Sequence, residues 1–446
     1  MILTYFQSSA VMLEHEGVKV LCDPWLVDGE LYGSWSLYPP YDFEPKMFEN
    51  VDYIYLSHIH QDHFSKKTLA QINKEIPIII FDFKSKALKK GIEDLGFKVI
   101  ELKHNIRTHL KNNLYINIIS ADNCNPEICH KYFGCTSMEG KFALTSIDTM
   151  CVIDNNNEVV VNINDCPYDL SFSAANLIKE KYKNIDLLLV GHTSASAYPQ
   201  CFIMNEDEKQ IAIQKLKNDF LLKAERYVDL FKPKYFMPFA GRYTLTGKLS
   251  KLNKFKGTTT IEEAYNYFLK SLNIDKKNHQ CFLLNPGSSF DINAGKSSKQ
   301  YSPVDVNKQE QYVIEVLSKR KLDYEYEKEP TEDEILSLVP KAFERFESKR
   351  SEIGFESDTE ILIRISENKF IAISCNGNGY RILAEENANF KKFVRLTLDR
   401  RLLKWLLLGP RYAYWGTAEN GSHIIFERNP NVYERGLYFS LSFFYS

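Results

Sequence analysis

The chain has 446 residues, of which 44% are hydrophobic and 26% charged, with a formal net charge of −2. That is ample apolar material for a buried core, at a length that suggests two or three domains. The near-zero charge gives no electrostatic case for nucleic acid or an acidic membrane as partner, and no apolar run approaches the ~20 residues of a membrane span.

The first residues, "MILTYFQSSAVMLEHEG", lack a basic segment followed by an apolar stretch and a small-residue cleavage site, so no secretory signal is expected. Nine cysteines, an odd number, are scattered along the chain, and reduced thiols in a cytoplasm are the simplest account. "ILTYF" and "AVMLEHEGVKVLCDP" read as antiparallel strands with a turn at Gly17. "VDYIYLS" is a buried strand, and "SKKTLAQINK" a short helix with Ser65 as N-cap. "IPIIIF" is a strand and "KSKALKKGIEDLG" a helix. "LYINIIS", "TMCVID", "EVVVNIN" and "NIDLLLVGH" then make a second run of strands. A long helix is expected from about Glu206 to Phe231, because Asn205 and Glu208 stand at capping-box spacing and Pro233 lies beyond its end. "KYFMPFAG" and "HQCFLLNPG" are late strands. The polar stretch "NAGKSSKQYSPVDVNKQEQ" is the best linker candidate. Past it, "TEDEILSLVPKAFERFESKR" reads as a helix capped by Thr331 and Glu334, and "TEILIRIS" with "KFIAISC" as a hairpin. The expected organisation is a first domain over 1–295, a linker over 296–330 and a smaller α+β domain over 331–446.

Residues 56–65, "LSHIHQDHFS", place three of the ten histidines and an aspartate within six positions. His58 and His60 leave a strand two residues apart, on one face. Asp62 and His63 follow at once, in the turn before a helix. Imidazole nitrogen and carboxylate oxygen suit zinc, iron or manganese. So dense a loop can serve two ions, His58 and His60 on one, Asp62 and His63 on the other. Two adjacent ions would polarise a substrate oxygen and supply a nucleophile at neutral pH. The plain alternative is a polar loop that happens to hold histidines, but three imidazoles would then desolvate one another for no return. Asp23, in "VLCDPWL", and Asp165, in "VVVNINDCP", also sit at strand ends. Asp165 is expected to bridge two ions and Asp23 to orient a ligand from behind, unless each merely starts a turn. Cys124, Cys129 and Cys135, with His130 beside them, resemble a metal-ligand set, but their spacing matches no C-x-x-C pair, so a structural zinc is the less expected reading there.

These residues resemble a known family. "SHIHQDH" is similar to the signature loop of the metallo-β-lactamase fold, an αββα four-layer sandwich with its metal site at one edge between two sheets. "CDPWLVDGELYGSWSLYPP", "IYLSHIHQDHFS", "NINDCP", "SASAYP", "KPKYFMPFAG" and "NPGSSFDI" occur in order. Together they resemble the metallo-β-lactamase-like portion of CMP-N-acetylneuraminate hydroxylases and their bacterial relatives, over most of residues 1–295. Three departures matter. Those hydroxylases carry a Rieske iron–sulfur domain, which needs a C-x-H and a C-x-x-H pair, and no such pair occurs here. The family's further histidine after a middle strand is replaced by Asn125, with Asp122 and His130 as the nearby donors. Its "P-x-H" turn is "MPFAG", with Ala240 and Gly241.

The resemblance implies a metal-dependent hydrolase acting on a phosphoester or acyl bond of a nucleotide-sugar or glycan precursor, a small-molecule substrate, with one or two zinc ions, or iron or manganese instead. His58, His60 and Asp165 would hold the first ion, with His130 or Asn125 completing it; Asp62 and His63, with Asp165 as bridge, would hold the second. Asp62 would also act as base. His192, in "LLLVGHTSASAYP", resembles a histidine in a similar glycine turn of some superfamily hydrolases. It would touch substrate or shuttle a proton near its ordinary pKa of ~6.5, or simply bond backbone. Trp25, Trp35 and Tyr38 would line a cleft and stack on a sugar or base, or pack as a surface loop. Arg242 would pair with a phosphate or carboxylate, or stand as an ordinary exposed arginine. The rival enzyme reading is an iron-dependent oxygenase or its partner subunit. The non-enzymatic rival is a nucleotide-sugar binding module with a relict metal site.

Overall fold

The computed structural model describes residues 1–121, 148–387 and 390–445. Strands β1 (Ile2–Gln7), β2 (Ala10–His15) and β3 (Val18–Cys22) form an antiparallel meander, and β4 (Tyr53–Tyr55), β5 (Ile78–Phe81) and β6 (Val99–Leu102) add to it in parallel. Gly17, at φ +77°, makes the β2–β3 turn as expected. A second hairpin, through Ser8 and Ser9, divides the N-terminal stretch further than the sequence suggests. The next sheet contains β7 (Thr108–His109), β8 (Tyr115–Ser120), β9 (Thr149–Asp154), β10 (Val159–Asn162), β11 (Leu187–Gly191), β12 (Tyr235–Phe239) and β13 (Gln280–Cys281). Finally β14 (Ser288–Asp291) and β15 (Lys296–Ser297) return to the free edge of β1.

The apolar runs are continuous because both faces of these strands are covered. In β5, Ile79 points between the two sheets, while Ile78 and Ile80 face the outer core. In β11, Leu187 and Leu189 point inward, and Leu188 and Val190 outward. Helices α1 (Lys66–Leu69) and α2 (Ala87–Glu93) cover the first sheet. Helices α3 (Phe172–Lys181), α4 (Glu206–Phe231) and α5 (Ile261–Lys270) cover the second. The layers therefore stack α, β, β, α, the expected sandwich of an α/β fold. Ser65 caps α1 by accepting from Thr68 N at 3.1 Å, and the Asn205–Glu208 capping box opens α4.

The stretch read as a linker is structured. It carries helix α6 (Val306–Glu315), buries Leu317, Leu322 and Tyr324, and bonds Arg320 to Asp28 (2.6 Å) and Ser36 (3.0 Å). Its polar composition hides these few anchors. Then follow α7 (Glu332–Ile353), strands β16 (Glu360–Ser366), β17 (Lys369–Ser374), β18 (Tyr380–Ala384) and β19 (Phe393–Thr397), helices α8 (Arg400–Leu408) and α9 (Trp415–Asn420), strand β20 (Ile425–Asn429) and helix α10 (Arg435–Phe444). The sheet order is β18-β17-β16-β19-β20. The core of this C-terminal lobe is continuous with Trp25, Leu31, Trp35, Leu37 and Tyr243 of the sandwich. Among the described residues no helix is long and apolar enough to cross a membrane.

Candidate metal centre

Loops from both sheets meet at one edge of the sandwich. The loop after β4 carries His58, His60, Asp62 and His63, and the loop after β10 carries Asp165. Ligand atoms of His58, His60 and Asp165 lie within 4.8 Å of one another, and so do those of Asp62, His63 and Asp165. The two oxygens of Asp165 are divided between these groups. Oδ1 is 3.3 Å from His63 Nε2, and Oδ2 is 3.9 Å from His58 Nε2.

The rings are aimed from behind. Asp23 is fully buried and accepts from Ser57 N (2.8 Å), Ser57 Oγ (2.7 Å) and His63 Nδ1 (2.8 Å). Because the Ser57 hydroxyl donates to Asp23, its oxygen is left to accept from His58 Nδ1 at 2.9 Å. This assignment of protons puts an N–H on the Nδ1 of both rings and leaves both Nε2 atoms, which face Asp165, as the ligating positions. His63 Nε2 is buried and faces carboxylate oxygens only, Asp165 Oδ1 at 3.3 Å and Asp62 Oδ2 at 3.7 Å. His58 Nε2 also meets His60 Nδ1 at 2.9 Å. Such a donor set fits a cation.

The electrostatics show what an ion would have to displace, a proton that the surrounding carboxylates favour on His63. Burial, then the neighbouring His63 and His60, hold the His58 imidazole well below its ordinary pKa. Burial would also lower His63, but Asp165, Asp23 and Asp62 outweigh it and raise its pKa well above the usual value. Burial raises the Asp62 carboxyl. Burial opposes ionisation of Asp165 too, yet the His63, His58 and His60 rings keep it far below the carboxylate range.

One acid at this edge is absent from the sequence reading. Asp148, immediately before β9, has Oδ1 3.8 Å from His58 Nε2, and burial pushes its carboxyl up to about 6. The following residue ties both sheets together. Thr149 Oγ1 donates to Ser57 O (2.8 Å) and lies 2.7 Å from Tyr55 Oη, while Thr149 O accepts from Asn164 Nδ2 (2.9 Å). The signal was the one that found Asp165, an acid at a strand end; here it stands before the strand.

His130, Asn125 and Asp122 lie outside the described residues. His192 is fully buried, and desolvation brings it down to about 4, with the Phe239 and Thr259 backbone beside it. The burial favours its neutral form and agrees with the backbone-bonded alternative. Trp25 and Trp35 are 0% and 2% exposed, and Trp35 stacks on Tyr243 at 3.8 Å. They are core residues under the C-terminal lobe, with no open face for a sugar or base, which corrects the cleft-lining expectation. Arg242 is half-buried and donates to Tyr38 O at 3.3 Å.

Residues 2–153 match the beta-lactamase superfamily domain. That span of the beta-lactamase superfamily domain holds Asp23, the whole histidine loop and Asp148; Asp165 follows it. A protein of Mycolicibacterium smegmatis described as a Rieske 2Fe-2S iron-sulfur protein is 25% identical over 305 residues, covering 66% of this chain and 54% of that protein. The cytidine monophosphate-N-acetylneuraminic acid hydroxylase of Danio rerio is 23% identical over 257 residues, covering 54% of this chain and 38% of that protein. The chain thus spans about half the length of these relatives, or less. The crystal structure of isothiocyanate hydrolase from Delia radicum gut bacteria is similar at a TM-score of 0.42 and 13% identity, covering 65% of this chain and 99% of that one.

Proposed function

We propose that the chain is a metal-dependent hydrolase with a two-ion centre, cleaving a phosphoester or acyl bond in a nucleotide-sugar or glycan precursor. The observation that carries this reading is Asp165, whose two oxygens are shared between His58 and His63. His58, His60 and Asp165, with Asp148 alongside, would hold one ion; Asp62, His63 and Asp165 the other. When bound, the ions supply Lewis acidity at a substrate oxygen and bring the ionisation of water into the neutral range. Asp62 receives the proton of the attacking water at its carboxylate. Arg242 offers its remaining N–H groups to a phosphate or carboxylate of the substrate. The described cysteines are free thiols, in keeping with a cytoplasmic setting.

The test is elemental analysis and turnover of the chain expressed in metal-balanced medium. Two zinc equivalents and hydrolysis within a phosphodiester and acyl-ester panel are expected. The His58→Ala, His60→Ala double variant is expected to lose the His58 ion and turnover while keeping its circular dichroism. Full metal content in that variant would overturn the reading.

A second reading, an iron-dependent oxygenase or its partner subunit, is favoured by the ligand chemistry. His58, His60 and Asp165 form a two-histidine, one-carboxylate set, and Asp62 and Asp148 make the centre rich in hard oxygen donors. The hydroxylase named among the relatives agrees with it. Two irons and a visible absorption band would favour this reading; bound zinc would favour hydrolysis.

A further inference from the structure

The outer side of the metal loop rests on residues 29–33, and this turn is unusual. Gly29, Leu31, Tyr32 and Gly33 have φ of +93°, +51°, +56° and +85°. Glycine adopts such values freely, but Leu and Tyr do not, so their surroundings must dictate the conformation. Those surroundings are of two kinds. On one side the turn grips the metal loop: Leu31 N donates to Gln61 Oε1 at 2.7 Å, and Ser65 Oγ donates to Glu30 Oε1 at 2.7 Å. Gln61 lies between His60 and Asp62. On the other side the C-terminal lobe grips the turn. His423 Nε2 donates to Leu31 O at 2.8 Å, and Tyr414 N donates to Tyr32 Oη at 2.7 Å. With its proton on Nε2, His423 accepts from Tyr324 Oη through Nδ1 at 3.2 Å, which fixes the ring. The backbone is shaped to present it: a Cβ on Gly421 would meet His423 Nε2 at 2.8 Å. The two peptide units that meet at the Leu31 Cα are thus held from opposite sides, the Glu30–Leu31 N–H by the metal loop and the Leu31–Tyr32 carbonyl by the C-terminal lobe.

We propose that His423 is a positioning residue for the Asp62 and His63 half of the metal centre, acting through the Leu31 backbone and Gln61. This rests on the two-ion reading, and it gives the C-terminal lobe a task in the site. The test is cobalt(II) titration of the metal-stripped full chain, followed by visible absorption. The cobalt equivalent that survives in His60→Ala identifies the Asp62 and His63 half. In His423→Phe, which keeps a ring but no donor, that equivalent is expected to bind about tenfold more weakly with an altered band, since removing partners behind a ligand set costs about 10–100-fold in affinity. The other equivalent should be unchanged. His423→Gln, which keeps an N–H, should recover part of the loss. Gln61→Met, at the far end of the strut, should reproduce it, and the double variant should lose no more than either single one. If His423→Phe does not fold, Gln61→Met with His423→Gln decides. Two equivalents in the wild type with unchanged or equally weakened affinities in these variants would overturn this proposal alone. A wild-type chain that takes up no cobalt would overturn the two-ion reading beneath it.

Discussion

A histidine binds a metal through one ring nitrogen, so something must fix the proton on the other. Ser57 and Asp23 do this for His58 and His63 together, with contacts of 2.7–2.9 Å. Asp23→Asn would present an N–H₂ where at least one N–H already points, turning the His63 ring or its tautomer. Metal affinity is expected to fall about 10–100-fold, with apo-protein stability changed much less. Equilibrium dialysis against buffered zinc measures it, and affinity within twofold of wild type would refute the role. At this scale most of the centre is legible in the sequence, because four donors lie within six positions and Asp165 ends an apolar strand. Asp148 was missed for a topological reason. Strand β9 runs antiparallel to β10, so its start lies at the edge where β10 ends, and an acid that precedes a strand carries no mark of that in the sequence. The burial of Trp25 and Trp35 is not legible locally, because the core they join includes residues such as Phe346 and Leu406, hundreds of positions away.

Elements with local signals have ends that the sequence marks closely. The capping box at Asn205 and Glu208 starts α4 at Glu206, and Pro233 follows its end at Phe231. The hairpin at Glu367-Asn368 separates β16 from β17 as expected. The left-handed turn at 29–33 has no such signal, since its partners are Gln61, Tyr414 and His423. Between elements, the decisive tie is Thr149, where β9 of one sheet meets β4 of the other. Thr149→Val keeps the shape and removes the hydroxyl. It leaves Ser57 O and Tyr55 Oη, both buried, without that partner. Stability is expected to drop by about 1–3 kcal/mol, and metal affinity with it, because Asp148, His58 and Asp165 all hang from this node. Urea unfolding with and without zinc measures both effects; a neutral result in both would show that the sheets are registered by packing alone.

The whole molecule shares one core across its two lobes, and its stability should follow. Of the four tryptophans, Trp25 and Trp35 come from the sandwich and Trp415 from the C-terminal lobe, all in that core, with Trp405 packed against it. Tryptophan fluorescence therefore reports on the shared core, while far-UV circular dichroism reports on every helix. A single coincident urea transition is expected from both probes; two separated transitions would mean that the lobes unfold independently. The same core makes stability depend on pH. Burial raises the Glu30 carboxyl to about 7, and Glu419 also to about 7. An acid with a raised folded-state pKa binds its proton more tightly when folded, so stability is greatest below its unfolded value, near 4.5, and declines as pH rises through about 7. For Glu30, 5% exposed, the full decline is roughly 3 kcal/mol. Glu30→Gln cannot ionise and keeps an acceptor for Ser65 Oγ. Compared with wild type, it should therefore be more stable at pH 8 and about equal at pH 4.5. Urea midpoints at those two pH values test this, and a variant that gains nothing at pH 8 would show that Lys67 and Ser65 already stabilise the ionised Glu30.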